Sequence, residues 1–476
     1  MIYLFGAIAV LSSLITAWGV VGALQRSRYA RSIPRLYLGW LPAFSLSLAT
    51  GVLSECYPRP LLLWMGVGLV PVVLTAILLL SRRRYPKCKA RPMRLWGLSA
   101  LPIAGAIVAL TILRAGWVAA IAALTPLFVR LLALLLSPWE EERKRRFILR
   151  MRDKLTASGA TVIGITGSAG KTTVKTLLAA ALGEDAYPTK GNYNTPMGLA
   201  LSIKDMPPDT RYFVAEMGIS HIGDMDDLLG VVTPSVGVLT NVLPQHTLTA
   251  GGVENIRREK SKLLSAASLS IAPVGEGASV SVGEGGDYFA KNVRLGKEET
   301  SFVVVTPKGE YPVTLPLLGR GCVTDCVFAF AAALAVGISP EIVVQRLAQI
   351  KRVPHRMDLV ANARSVTIVD DSYNLNLRGV QYAMEYVDLY AGRKVVAVSG
   401  IAESDPALRL NEELGRIVSR ADLVIVVGNR YRDQLLQGIG RSEGVYTVAS
   451  TKESVTLYRT LLRAGDVLLI LADMPL

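Results

Sequence analysis

Histidine and cysteine are scarce, at three and four residues in a chain of 476. No Cys/His spacing suits a tetrahedral zinc ion. Cys56 and Cys88 stand alone. Cys322 and Cys326 are four apart in a helical stretch, which reads as small residues in a core. A secreted disulfide framework is therefore excluded. Charge is also sparse, with 19% charged against 51% hydrophobic residues. That balance is too apolar for an ordinary soluble enzyme. The apolar excess lies in the first 137 residues, and the rest has the composition of a normal α/β protein. The expectation is a membrane part joined to a soluble part.

Five apolar runs, roughly 2–24, 35–55, 60–80, 95–113 and 115–137, each approach the ~20 residues that cross a bilayer as a helix. The first lacks a basic leader and a small-residue cleavage site, so it reads as a retained span. The net charge is +14 and the pI about 9.6, but the basic residues cluster beside these runs. Arg26, Arg28 and Arg31 follow the first, Arg82 to Arg94 follow the third, and Arg143 to Lys154 follow the last. This alternation argues for lipid rather than nucleic acid as the partner. It places the N-terminus outside and the C-terminal bulk in the cytoplasm, in a multi-pass protein of the inner or plasma membrane. The expected organisation is a transmembrane region over 1–138, a basic linker over 139–158, an ATP-binding α/β domain over 159–355 and a second α/β domain over 356–476.

Thr161–Thr166 is a short β-branched run, followed by Gly167-Ser168-Ala169-Gly170-Lys171-Thr172-Thr173 and a helical stretch. Strand, glycine turn and helix form the context of a phosphate loop, whose backbone N–H groups surround phosphate oxygens. Lys171 can reach the β- and γ-phosphates, and the Thr172 hydroxyl can ligate Mg²⁺. The strict GxxxxGK[ST] pattern is not met, because its first glycine falls one place early, at Gly164, and Ile165 takes its place. Downstream come Gly191-Asn-Tyr-Asn194-Thr195-Pro, Val214-Ala-Glu216-Met-Gly, Thr240-Asn-Val-Leu-Pro-Gln-His246 and Ile256-Arg-Arg-Glu-Lys260. From about 357 strands and helices alternate, the pattern of a doubly wound, Rossmann-like domain.

In order and spacing these motifs resemble the Mur ligase family, on its MurF-like branch, over about 160 to 430. The resemblance implies an ATP- and Mg²⁺-dependent carboxylate–amine ligase of the acid–amino-acid type, working through an acyl phosphate in cell-envelope synthesis. It assigns Glu216 and His246 to a second Mg²⁺ site, catalytic together with the phosphate-binding Lys171, and Lys260 to a carbamylated lysine that also serves the metal. Asn194 and Thr195 fall in the acceptor-side loop. Arg356 matches the arginine at the domain junction, Asp371 and Asn374 the stretch near the ribose, and Asp325 the place of an adenine-binding asparagine.

The chain departs from the pattern at both substrate ends. Membrane runs stand where the family carries its UDP-sugar domain. Gly321-Cys322-Val-Thr-Asp325 replaces His-Asn…Asn, Leu377 replaces a proline, and the end reads Leu471-Ala-Asp-Met-Pro-Leu476 instead of Lys-Gly-Ser-Arg. The carboxylate donor and amine acceptor therefore stay open. So do envelope-synthesis partner proteins and three further readings: the D-alanyl-D-alanine-adding enzyme itself, a poly-γ-glutamate-type synthase and a nucleotide-binding scaffold.

Overall fold

The computed structural model describes residues 118–243, 251–360, 365–373, 375–401 and 409–471, with side chains from 127 onward. The first four expected membrane spans and the start of the fifth lie outside them, as do His246 and Asn374. Among the described residues, no helix is long and apolar enough to cross a membrane. The chain divides into two compact units, Met1–Arg145 and Arg146–Leu476.

Helix α1, Val118–Ser158, continues through the stretch expected as a basic linker. Its charged half is rich in Glu, Arg and Lys, which are strong helix formers, and Glu141 and Lys144 pair at i,i+3. Nearer its start it exposes Leu127, Leu131, Leu135 and Trp139. Farther on, Lys154 Nζ donates to the carbonyls of Ile203, Lys204 and Met206, at the end of helix α3, Pro196–Lys204.

The middle part of the second unit is built on a six-stranded parallel sheet. Its strands are β1 Thr161–Thr166, β2 Ala186–Pro188, β3 Tyr212–Glu216, β4 Val236–Leu239, β5 Leu269–Pro273 and β6 Val280–Val282, in the order β2-β3-β1-β4-β5-β6. The inner strands are buried on both faces, as expected for helix-covered parallel strands. On one face a core forms from α2 (Lys171–Leu182), α6 (Gly321–Ala335) and α7 (Pro340–Leu347), with Leu177, Phe328 and Phe330 fully enclosed. On the other, Leu155 of α1, Leu199 and Ile203 of α3, Met225 and Leu228 of α4 (Asp224–Leu229) and Leu263 of α5 (Val253–Ala266) pack on Phe213. Strands β7 Phe289–Leu295, β8 Thr300–Thr306 and β9 Gly309–Leu315 form an antiparallel meander. Alternate residues of β8 are buried, including Phe302 and Val304 in the first core.

The last part carries a second six-stranded sheet, in the order β10-β11-β15-β12-β13-β14, with only β10 antiparallel. Its strands are β10 Asp358–Val360, β11 Thr367–Asp370, β12 Lys394–Val398, β13 Leu423–Val427, β14 Val445–Val448 and β15 Val467–Leu471. Helices α8 Leu377–Val387, α9 Leu410–Val418, α10 Arg432–Ile439 and α11 Thr451–Leu461 alternate with them. These elements follow the expected strand–helix alternation.

Helix α8 also binds the middle part. Arg320, at the start of α6, forms a forked ion pair with Glu385, with contacts of 2.7 to 3.1 Å. The Tyr386 hydroxyl donates to the Lys297 carbonyl at 2.6 Å, and Leu318 enters the core of the second sheet.

Candidate active site

Strand β1 lies at the centre of the first sheet, between β3 and β4, so the loop after it opens where the connections diverge, the usual ligand position in open α/β sheets. Gly167 and Gly170 take positive φ, at 149° and 80°. A Cβ at Gly167 would strike the Thr240 side chain, and one at Gly170 the Asp325 carboxylate, so neither position admits another residue without movement. The loop is tied to the segment after β4. Ala169 N–H donates to Asn241 Oδ1 at 2.9 Å, and Thr240 Oγ1 donates to the Ala169 carbonyl at 2.5 Å. Gly164, which departs from the strict motif, lies inside β1, paired with Ala215 and Gly237. A side chain there would press on Leu263 and Met217, each at 2.9 Å. That glycine therefore serves sheet packing rather than the loop.

Lys171 folds over the loop, its Nζ donating to the Gly167 carbonyl at 2.6 Å. Burial lowers its pKa to about 8; the Glu216 carboxylate opposes that shift and Arg356 adds to it. Glu216 ends β3 and is buried. Thr172 Oγ1 donates to its Oε2 at 3.0 Å, and Asn194 Nδ2 reaches Oε1 at 3.4 Å. Lys175, which the motifs do not single out, places Nζ 2.8 Å from the same Oε2. Thr195 is exposed and caps α3 through Gly198 N–H.

Lys260 lies in a charged run that could have been a solvated helix face, yet it is 3% exposed. Its Nζ donates to Ser168 Oγ at 2.6 Å. Burial and the Lys171 charge lower its pKa to about 6, so the amine is neutral at pH 7. Neighbouring Glu259 is structural, since its Oε1 accepts the Gly223 and Met225 N–H groups at the start of α4, each at 3.0 Å. Lys171, Thr172, Glu216, Asn194 and Lys260 are thus gathered around one loop.

A cavity opens from this loop between the middle and last parts. Ala169, Gly170, Thr173, Asp325, Arg356 and Asp371 line it. Burial raises the carboxyls of Asp325 and Asp371 to about 7 and about 6, and Arg356 opposes both shifts. The Arg356 guanidinium stacks 4.2 Å from the Tyr373 ring. Asn376, Arg378 and Tyr382 from α8 complete the wall, and no sequence motif points to them. Only Asn376 left a readable trace, as an asparagine directly before a helical run; it caps α8 through Gly379 N–H at 2.9 Å. Cys322 and Cys326 are buried in α6, as their spacing suggests.

Residues 165–333 match the model of the Mur ligase middle domain, and residues 355–474 that of the Mur ligase glutamate ligase domain. The chain is 30% identical over 366 residues to the UDP-N-acetylmuramoyl-tripeptide–D-alanyl-D-alanine ligase of Mycobacterium bovis, covering 67% of this chain and 72% of that one. It is 29% identical over 291 residues to the Bacillus subtilis ligase of the same name, covering 57% and 63%. The chain spans under two thirds of several such relatives, at 63%, 64% and 58%. Among solved structures it is similar to MurF from Acinetobacter baumannii, with a TM-score of 0.63, 26% identity and coverage of 69% and 78%. It is also similar to a Thermotoga maritima MurF ligase in complex with ADP, with a TM-score of 0.63, 25% identity and coverage of 69% and 80%.

Proposed function

The chain belongs to the Mur ligase family, and on that premise we propose that it is an ATP- and Mg²⁺-dependent ligase of the MurF kind, acting on a peptidoglycan precursor or a close analogue. The observation that carries this reading is the gathering of Lys171, Thr172, Glu216 and Lys260 at one phosphate loop, beside a cavity shared by both α/β domains. In this reading ATP lies in the cavity with its phosphates on the loop. A substrate carboxylate attacks the γ-phosphorus, ADP leaves and an acyl phosphate forms. An amine then attacks the acyl carbon and inorganic phosphate departs.

The residues fit Mg²⁺, since Glu216 and Thr172 offer hard oxygen donors 3.0 Å apart, and Mg²⁺ typically takes one or two protein oxygens plus phosphates and water. When bound, it would neutralise the crowded phosphate oxygens. His246 would extend that site from the segment after β4. Lys171 supplies a positive charge at the loop, and Arg356 offers a planar fork to a phosphate. Lys260 is suited to carbamylation because the reaction with CO₂ needs a neutral amine, and its pKa near 6 provides one. Asp325, which lines the cavity beside Gly170 and Thr173, would accept from a base amino group.

The N-terminal apolar runs are proposed to hold the ligase at the cytoplasmic membrane face. The exposed Leu127, Leu131, Leu135 and Trp139, followed by Arg143 to Arg146, support that placement. The apolar runs in the place of a UDP-sugar domain favour a donor other than the free UDP-linked tripeptide, for example a lipid-linked one.

The test is phosphate release by the full chain with ATP and Mg²⁺. Release should require both a carboxylate donor and an amine, starting with UDP-N-acetylmuramoyl tripeptide and D-alanyl-D-alanine and then lipid-linked precursors. Nucleotide binding without acceptor-dependent release from any of these precursors would instead favour a scaffold. The Lys171 pKa of about 8 adds a pH dependence. Below that value the loop already carries its positive charge. Above it, a polyphosphate must draw a proton onto Lys171, so affinity should fall as pH rises, approaching about tenfold per unit. Calorimetry at pH 9 in buffers of different ionisation heat should register proton uptake, and none at all would contradict the assignment.

A further inference from the structure

Resting on the ligase reading above, we propose that Lys175 is a positioning residue that locks the substrate-side loop 189–195 to the phosphate end of the site. Lys175 lies one helical turn beyond Lys171 on α2 and points to the same side. Its side chain is 5% exposed and that of Glu216 2% exposed. The ammonium meets two acceptors from different segments: Glu216 Oε2 at 2.8 Å, at the end of β3, and the Gly191 carbonyl at 2.6 Å, in the loop between β2 and α3.

A helix position this enclosed suits leucine or methionine, because a buried ion pair is often no more stabilising than an apolar pair of similar volume. What the lysine provides is geometry. Gly191, Asn192, Tyr193 and Thr195 are exposed, so the middle of the loop has few buried anchors. The bond to Gly191 supplies one, and the ion pair with Glu216 fixes where that anchor sits. Asn194, between Glu216 Oε1 and the Gly218 N–H, is thereby held facing the phosphate loop. The Lys175 ammonium bonds Glu216 and Gly191 and reaches the phosphate loop only through Glu216, so its direct hold falls on the substrate loop.

Hydrogen exchange of the full chain, read by mass spectrometry, tests this directly. In K175M, peptides covering 189–195 should exchange at least tenfold faster, while those covering 161–173 stay unchanged. In turnover assays, kcat should fall at least tenfold with KM for ATP within twofold of the parent. Unchanged exchange in 189–195, or an equal rise throughout the domain, would overturn the proposal. If K175M fails to fold because Glu216 is left unpaired, K175M/E216M removes both charges and should fold with the loop still exchanging fast. A slow loop in that double variant also overturns the proposal. The exchange result does not depend on turnover, so an inactive parent with a loosened loop in K175M would count against the ligase reading alone.

Discussion

Lys171→Met should lower acceptor-dependent phosphate release by about a thousandfold while leaving the fold in place. Removing one group that stabilises charge on a transferring phosphoryl typically costs 10² to 10³ or more in rate. Methionine keeps the length of the side chain and removes only the charge. The two carbonyls that Lys171 Nζ reaches, Gly167 at 2.6 Å and Ser168 at 3.4 Å, would lose a donor. Burial already works against the charged form there, so losing the charge offsets part of that cost. The melting temperature should therefore move by no more than about 4 °C. Turnover close to that of the parent would mean that the phosphates do not sit on this loop.

The second large effect concerns Lys260. Lys260→Ala should lower turnover by about a hundredfold, the upper range for groups that tune a metal site. Ser168 Oγ would keep its bonds with Leu243, as donor at 3.1 Å and acceptor at 2.9 Å, so the loop should hold its shape. The decisive arm is rescue. A short carboxylic acid such as acetate fits the space left by the lysine stem and brings a negative charge where a carbamate would carry one. Recovery with acetate supports carbamylation. Loss without recovery would assign Lys260 to holding Ser168, and undiminished activity would remove it from the chemistry.

Much of this fold is legible because its signals are local. β1 and α2 read from a β-branched run, a glycine turn and a helical stretch, and the last domain reads from regular alternation. Lys260 is a different case: its sequence surroundings are charged, and only the packing of α5 against the phosphate loop reveals that the amine is buried. Lys175 is illegible for the same reason. A lysine in a helix says little until the sheet order brings β3 beside β1 and sets Glu216 against it. The β7–β9 meander shows a further limit, since its alternation at Thr300–Thr306 is short and its burial depends on the partner helices α6 and α7. The cavity wall from α8 depends on contacts between parts more than 50 residues apart in sequence, which no motif encodes.

Helix α8 does two jobs at once. Asn376, Arg378 and Tyr382 form one wall of the cavity, while Glu385 and Tyr386 grip Arg320 and Lys297 of the middle domain. A nucleotide in that cavity is therefore a ligand of the domain pair, not of either domain alone. By thermodynamic linkage its measured affinity equals the intrinsic affinity scaled by the fraction of molecules with α8 docked. ATP affinity then becomes a gauge of docking, readable on Glu385 variants that never touch the nucleotide.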